Sequence, residues 1–255
     1  MKVRTIFLTC LLVASVVFPL HQAKAGDVIT VGFKAGKAPY VIPTKPFQDS
    51  DFDMSKDLGI EVEIVKEVFA LSGKTVKPVY MNYKRMESEL LNGKIQMGSN
   101  LHKGVEGVFY ADNHVRLFDH FVYPSNGKVK VHSFADMVGK RVLSFQNATK
   151  FLGDDYRAAV KTAKSYREID DQEKQVKAIA QDRADVVLMD ISIFKYFAKK
   201  HGNADQAFNF SPMFPSPFFF SSGFSDEALR NEFAAGLQKL KDSGKYDEIY
   251  SKYTD

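Results

Sequence analysis

The sequence predicts an α/β protein, because short β-branched runs alternate with amphipathic helical stretches and polar or Gly-containing turns separate the two. Size agrees: 255 residues with 45 % apolar side chains suffice for a buried core in one large or two small domains. Val28 to Phe33 reads as the first strand, followed by a loop around Gly36 to Tyr40. Beyond a polar segment from Pro43 to Asp57, Ile60, Ile64, Val68 and Leu71 share one helical face. Val76 to Met81 is the next strand, and Asn82 is placed to cap a helix that buries Met86, Leu90 and Leu91. Ile95 to Gly98 reads as a third strand, and a less regular stretch runs from Asn100 to Asp119.

The pattern then restarts. Arg141 to Phe145 is a strand, Gln146 to Thr149 a polar turn, and a helix follows from about Lys150. A second helix from about Gln172 to Asp182 leads into the strand Val186 to Met189, where Asp190 stands at the strand end. Ile193, Phe194 and Phe197 mark another amphipathic helix. Phe218 to Phe220 reads as a strand whose three rings alternate between two buried surfaces. Asp226 caps a long helix carrying Leu229, Phe233, Leu237 and Leu240, with Gly244 at its end. The organisation is two α/β units, with the chain end free to return to the first.

Charge excludes one class of partner. Thirty-five Lys and Arg against 31 Asp and Glu give +4, too weak and dispersed for a nucleic-acid surface. The first 25 residues have the parts of a secretory signal: basic Lys2 and Arg4, an apolar stretch from Ile6 to Leu20, and Ala23-Lys24-Ala25 before Gly26. The apolar run is shorter than the roughly 20 residues of a spanning helix. Cleavage there would leave 32 basic against 31 acidic residues and would remove Cys10, the one cysteine. An exported chain of about 230 residues without disulfides has to be held by its core, which points to the bacterial periplasm.

Eight short segments, in order, resemble the family 3 extracellular solute-binding proteins, the periplasmic receptors of ABC importers for amino acids and similar solutes. They are Ala38-Pro39-Tyr40, Gly59-Ile60-Glu61-Val62-Glu63-Ile64, Tyr83-Lys84-Arg85 with Leu90 to Ile95, and Phe109-Tyr110-Ala111-Asp112. Phe134 to Val142, Gln146-Asn147-Ala148-Thr149, Arg183 to Asp190 and Leu240 to Tyr246 complete the set. The resemblance implies a two-lobed periplasmic-binding-protein-like fold of type II, with a cleft between lobes and two hinge crossings. Lobe 1 would comprise residues 26–113 and 214–255, and lobe 2 residues 114–213.

It also implies where a solute is held. Asp190 matches the position at which amino-acid binders accept hydrogen bonds from a ligand ammonium; it is equally placed to cap the helix that follows. Asn147 and Thr149 stand at a helix start that could meet an anionic group, or simply cap that helix. Tyr40 and Tyr83 lie on loops after strands, where rings pack against a ligand or against the lobe edge. One departure stands out. Amino-acid binders carry an arginine after the third strand for the ligand carboxylate, whereas here Ser99-Asn100-Leu101-His102-Lys103-Gly104 has none, leaving Asn100, Lys103 and Arg85 as candidates. The departure counts against a standard α-amino acid and leaves a cationic amine, a modified amino acid or another small polar metabolite as the alternatives.

Other chemistry is sparse. His114, His120, Asp112 and Asp119 lack a closed metal-ligand spacing, and no cofactor is expected. There is no P-loop and no Gly-x-Ser-x-Gly elbow. Glu63, Glu106 and Asp190 are the acids near motif positions, without an evident catalytic pair. The expected protein is a non-enzymatic, monomeric periplasmic receptor that delivers a small polar solute to an inner-membrane ABC permease. The alternatives are a sensor feeding a membrane signalling protein and a dehydratase-like enzyme on the same scaffold.

Overall fold

A computed structural model describes residues 27–43, 58–203 and 207–254. The leader expected over residues 1–25, with Cys10, and most of the Pro43 to Asp57 segment lie outside the described residues. Among those described, no helix is long and apolar enough to cross a membrane.

Two five-stranded sheets form the framework. The first contains β1 (Val28–Lys34), β2 (Thr75–Met81), β3 (Met97–Leu101), β4 (Phe109–Leu117) and β10 (Phe218–Phe224), in the order β2-β1-β3-β10-β4. The second contains β5 (Asp119–Pro124), β6 (Arg141–Phe145), β7 (Ser165–Ile169), β8 (Val186–Asp190) and β9 (Phe208–Pro212), in the order β7-β6-β8-β5-β9. Each sheet has three parallel strands continued by two antiparallel pairings. The chain leaves the first sheet after Leu117 and enters the second at Asp119, so the first crossing falls a few residues later than position 114. It returns between β9 and β10.

The helices follow the apolar periodicity. α1 (Ile60–Ala70) buries Ile60, Ile64 and Val68 but leaves Leu71 outside its last turn and exposed. α2 (Tyr83–Leu91) is capped as its sequence demands, the Asn82 side chain accepting from the Arg85 amide at 2.9 Å. Its final residue, Leu91, is exposed, because the chain turns away at Gly93. The turn after Gln146 holds two short helices, α3 (Ala148–Phe151) and α4 (Gly153–Val160). α5 (Gln172–Ala180), α6 (Ile191–Lys200), α7 (Glu227–Asp242) and α8 (Lys245–Thr254) complete the set.

Three strand expectations change. β3 starts at Met97 rather than Ile95, since the amides of Gly93, Lys94 and Ile95 donate back to the end of α2, and it continues through Ser99 and Asn100, which are buried. The irregular stretch before Asp119 contains β4, whose polar residues are satisfied sideways: Asp112 accepts from Ser221 Oγ at 2.7 Å and His114 meets Ser222 Oγ at 2.8 Å. In β10 the Phe rings do not serve two buried surfaces. Phe219 is exposed, whereas Phe220 turns toward the space between the sheets.

α1 enters over Gly59, whose φ of 123° favours glycine and whose amide donates to Tyr253 Oη. A Cβ there would stand 2.4 Å from the Tyr40 carbonyl oxygen. Gly59→Ala is therefore expected to destabilise the protein by about 2 kcal/mol or more, read as a lowered urea midpoint. An unchanged midpoint would show that the α1 entry tolerates a side chain.

Candidate functional site

The C-terminal ends of the parallel strands of both sheets converge on one cleft, the usual location for ligands in open α/β sheets. A narrow cavity of about 20 Å³ lies between Lys37, Tyr83 and Phe220 of the first sheet's side and Asp119, Phe145 and Asp190 of the second's. That is room for about one water molecule, so the two walls stand close together. The two sides touch around it. The Phe151 ring packs 4.6 Å from Phe220 and 5.9 Å from Tyr83, and Lys34 Nζ pairs with Asp170 at 2.6 Å.

Asp190 ends β8 and is 2 % exposed. Its Oδ1 accepts the Ser192 and Ile193 amides at 2.8 and 3.1 Å, so it caps α6. Its Oδ2 accepts the Phe118 amide at 2.7 Å and the Tyr40 hydroxyl at 3.1 Å. Burial pushes its carboxyl above the usual range against the pull of these donors. Both oxygens are thus engaged by the chain itself while the residue still lines the cleft.

Directly across the β5–β8 ladder stands Asp119, 6 % exposed, whose Oδ2 is buried with no hydrogen-bond partner among the described residues. Burial, followed by the charge of Asp190, pushes its carboxyl up to about 7, while Lys37 acts in the opposite direction. The sequence offered Asp119 only as a member of an incomplete metal spacing. Nothing local marks it, because its importance comes from the strand it faces. Among the described residues no group of three His, Cys, Asp or Glu could hold a metal ion.

The cleft floor on the other side is a buried polar cluster. Lys37 Nζ lies 2.7 Å from Glu61 Oε2, Asn100 Nδ2 donates to the same oxygen at 2.8 Å, and His114 Nε2 is 3.7 Å from Oε1. Burial raises the Glu61 carboxyl, but Lys37 and His114 more than offset this and hold it at about 2. His114 is pushed down by its own burial. Glu63, one of the acids the sequence places near motif positions, faces outward to Lys252 at 2.8 Å.

The sequence candidates divide accordingly. Tyr83 and Asp190 line the cleft, Tyr40 lies fully buried behind Asp190, and Asn100 supports Glu61. Arg85 and Lys103 do not reach it. Arg85 lies on the exposed face of α2 beside Glu89 at 3.3 Å, and Lys103 pairs with Asp112 at 2.7 Å on the surface. The amides at the start of α3 are taken as well: Glu168 accepts the Asn147 amide at 2.8 Å and the Thr149 amide and hydroxyl at 2.9 and 2.8 Å. Asn147 itself makes no side-chain cap and adopts a left-handed φ of 65°.

This is a two-lobed, periplasmic-binding-protein-like architecture with a polar inter-lobe cleft. No protein-family model matches the chain. A curated relative, the arginine-binding periplasmic protein of Mannheimia haemolytica, is 21 % identical over 140 residues; the match covers 54 % of this chain and 58 % of that protein, less than two thirds of its length. A solved structure of an ancestral arginine-binding protein bound to arginine superposes with a TM-score of 0.71 at 17 % identity, over 91 % of this chain and 100 % of that one. A histidine kinase sensor domain with similarity to periplasmic binding proteins gives 0.71 at 15 % identity, over 90 % and 96 %. The chain is therefore similar to amino-acid-binding periplasmic proteins, as its motifs indicate, and shares their fold.

A carboxyl raised from about 4 in the unfolded chain to about 7 in the fold binds its proton more tightly when folded, so its ionisation costs stability as pH rises through that window. Asp119→Asn is expected to gain on the wild type by about 2 kcal/mol between pH 5 and pH 8 in urea unfolding. A difference independent of pH would mean that Asp119 titrates normally.

Proposed function

We propose that this protein is a periplasmic solute-binding receptor, which captures a small polar, amine-bearing solute between its lobes and delivers it to an inner-membrane ABC importer. The observation that carries the reading is the pair of buried carboxylates, Asp119 and Asp190, at the strand ends of a cleft whose two walls already touch through Phe151 and Lys34. Strand-end clefts place converging polar groups on a ligand, and lobe closure around it is the usual movement of such folds. The relative named for arginine binding supports an amino-acid-type solute. The chain acts as a monomer of two lobes, with residues up to the β4–β5 crossing and the C-terminal part from β10 in one, and β5 to β9 in the other. An N-terminal signal exports it. It binds rather than catalyses, a reading supported by the two similar proteins that are named for arginine binding.

A second reading, a periplasmic sensor feeding a membrane signalling protein, is favoured by the likeness to the histidine kinase sensor domain. Both readings share the capture step and differ in the partner that reads the closed form.

A ligand that binds only the folded state raises its melting temperature. At a hundred times its Kd, a true ligand from a panel of amino acids, amines, betaines and small organic acids should stabilise by about 2.7 kcal/mol and raise Tm by about 5–10 °C. The ligand should be recovered unchanged by mass spectrometry. A panel that leaves Tm unmoved, or a compound that is turned over, would overturn the receptor reading.

A further inference from the structure

The cleft is built with an excess of negative charge. Among the described residues that line it, Lys37 is the one cation, and its charge is matched by Glu61, itself held ionised. Asp119 and Asp190 remain, two carboxylates opposite each other on adjacent strands with no basic side chain among the described residues bonded to either. Asp190 spends its oxygens on four donors of the chain, whereas Asp119 Oδ2 is buried and unpartnered among the described residues. A buried acceptor without a donor costs free energy until something supplies one. The rings of Tyr83, Phe145 and Phe220 close the rest of the cavity with apolar surface.

The same cleft lacks the means to hold a carboxylate. The stretch after β3 has no arginine, and Arg85 and Lys103 lie on the surface in pairs of their own. The helix-start amides of Asn147 and Thr149, the other natural seat for an anion, are filled by Glu168 of the same chain. A ligand carboxylate would therefore enter beside two acids, with Lys37 already paired.

We propose that the cleft selects a small primary amine that carries no carboxylate, its ammonium donating to Asp119 Oδ2, with Asp119 rather than the helix-capping Asp190 as the principal cation contact. An N–H donor is required, because a quaternary ammonium would leave that oxygen unpaired. Tyr83, Phe145 and Phe220 would pack against the apolar body of the ligand. The inference rests on the receptor reading of this cleft and specifies its ligand class.

The test uses matched pairs that differ by one carboxylate, agmatine against arginine and 1,4-diaminobutane against ornithine, titrated calorimetrically into the mature protein at pH 7.5. The decarboxylated member of at least one pair should bind tenfold or more tightly than its amino acid. Asp119→Asn should lose tenfold or more of that affinity, with its fold checked by circular dichroism. A pH series on the wild type provides a measurement that does not depend on the variant folding. Asp119 faces Asp190 from β8, Lys37 from the loop after β1, Tyr83 from α2 and Tyr156 from α4. Burial raises both tyrosine hydroxyls, so they stay protonated, while Asp119 passes from protonated to ionised near pH 7. Amine affinity should accordingly rise about tenfold from pH 6 to pH 8. If the amino acids bind and the amines do not, or if Asp119→Asn and pH leave amine affinity unchanged, the inference fails and the receptor reading stands. If neither set binds, the inference fails, and the receptor reading falls with it only when the wider thermal-shift panel also leaves Tm unmoved.

Discussion

Asp190 accepts four hydrogen bonds, two from the first turn of α6 that directly follows it and two from distant parts of the chain, the Phe118 amide at the crossing between sheets and the Tyr40 hydroxyl from the loop after β1. One carboxylate thereby fixes a helix start, a hinge segment and an inter-lobe contact together. Removing any donor would leave charge buried without compensation, which is far costlier than losing an exposed bond. The remaining geometry of the cleft follows from this constraint. With Asp190 held at the end of β8, antiparallel pairing places Asp119 opposite it, and the charge of Asp190 adds to burial in raising the proton affinity of Asp119.

The polar cluster on the opposite wall obeys the same rule with the opposite outcome. Lys37, Glu61, Asn100 and His114 are all buried, and their charges are matched within the cluster. Buried ion pairs contribute little net stability because desolvation cancels most of their attraction, but they fix which groups can meet. Here they hold Lys37 at the cleft without leaving its charge free for an anion. The hinge strand is secured independently. The Arg116 guanidinium lies 4.2 Å from the Tyr250 ring and 3.0 Å from Asp247, so α8 is bound to β4 just before the crossing.

Much of this was legible in the sequence where the physics is local. Asn82, Asp190 and Asp226 were readable as caps because a cap is decided within three residues, and the α1 and α7 faces followed from apolar spacing. Periodicity alone did not show β4, since its Asp112, His114 and Arg116 look like loop residues until β10 and α8 satisfy them; only the family resemblance of Phe109 to Asp112 implied a strand into the hinge there. Arg85 and Lys103 were plausible anion contacts by proximity to motifs, yet each found a carboxylate nearer than the cleft.

By itself the sequence determined the α/β alternation, the helix caps and the order of motifs that implies two lobes, because these depend on contacts within a few positions. Only the tertiary structure decided what the cleft contains. Tyr40 reaches Asp190 across 150 positions, Asn100 reaches Glu61 across 39, and Glu168 fills the α3 start across 21. Burial and charge balance are properties of which strand ends meet, and no spacing along the chain encodes that an aspartate opening β5 will face another across the ladder with one oxygen unpaired.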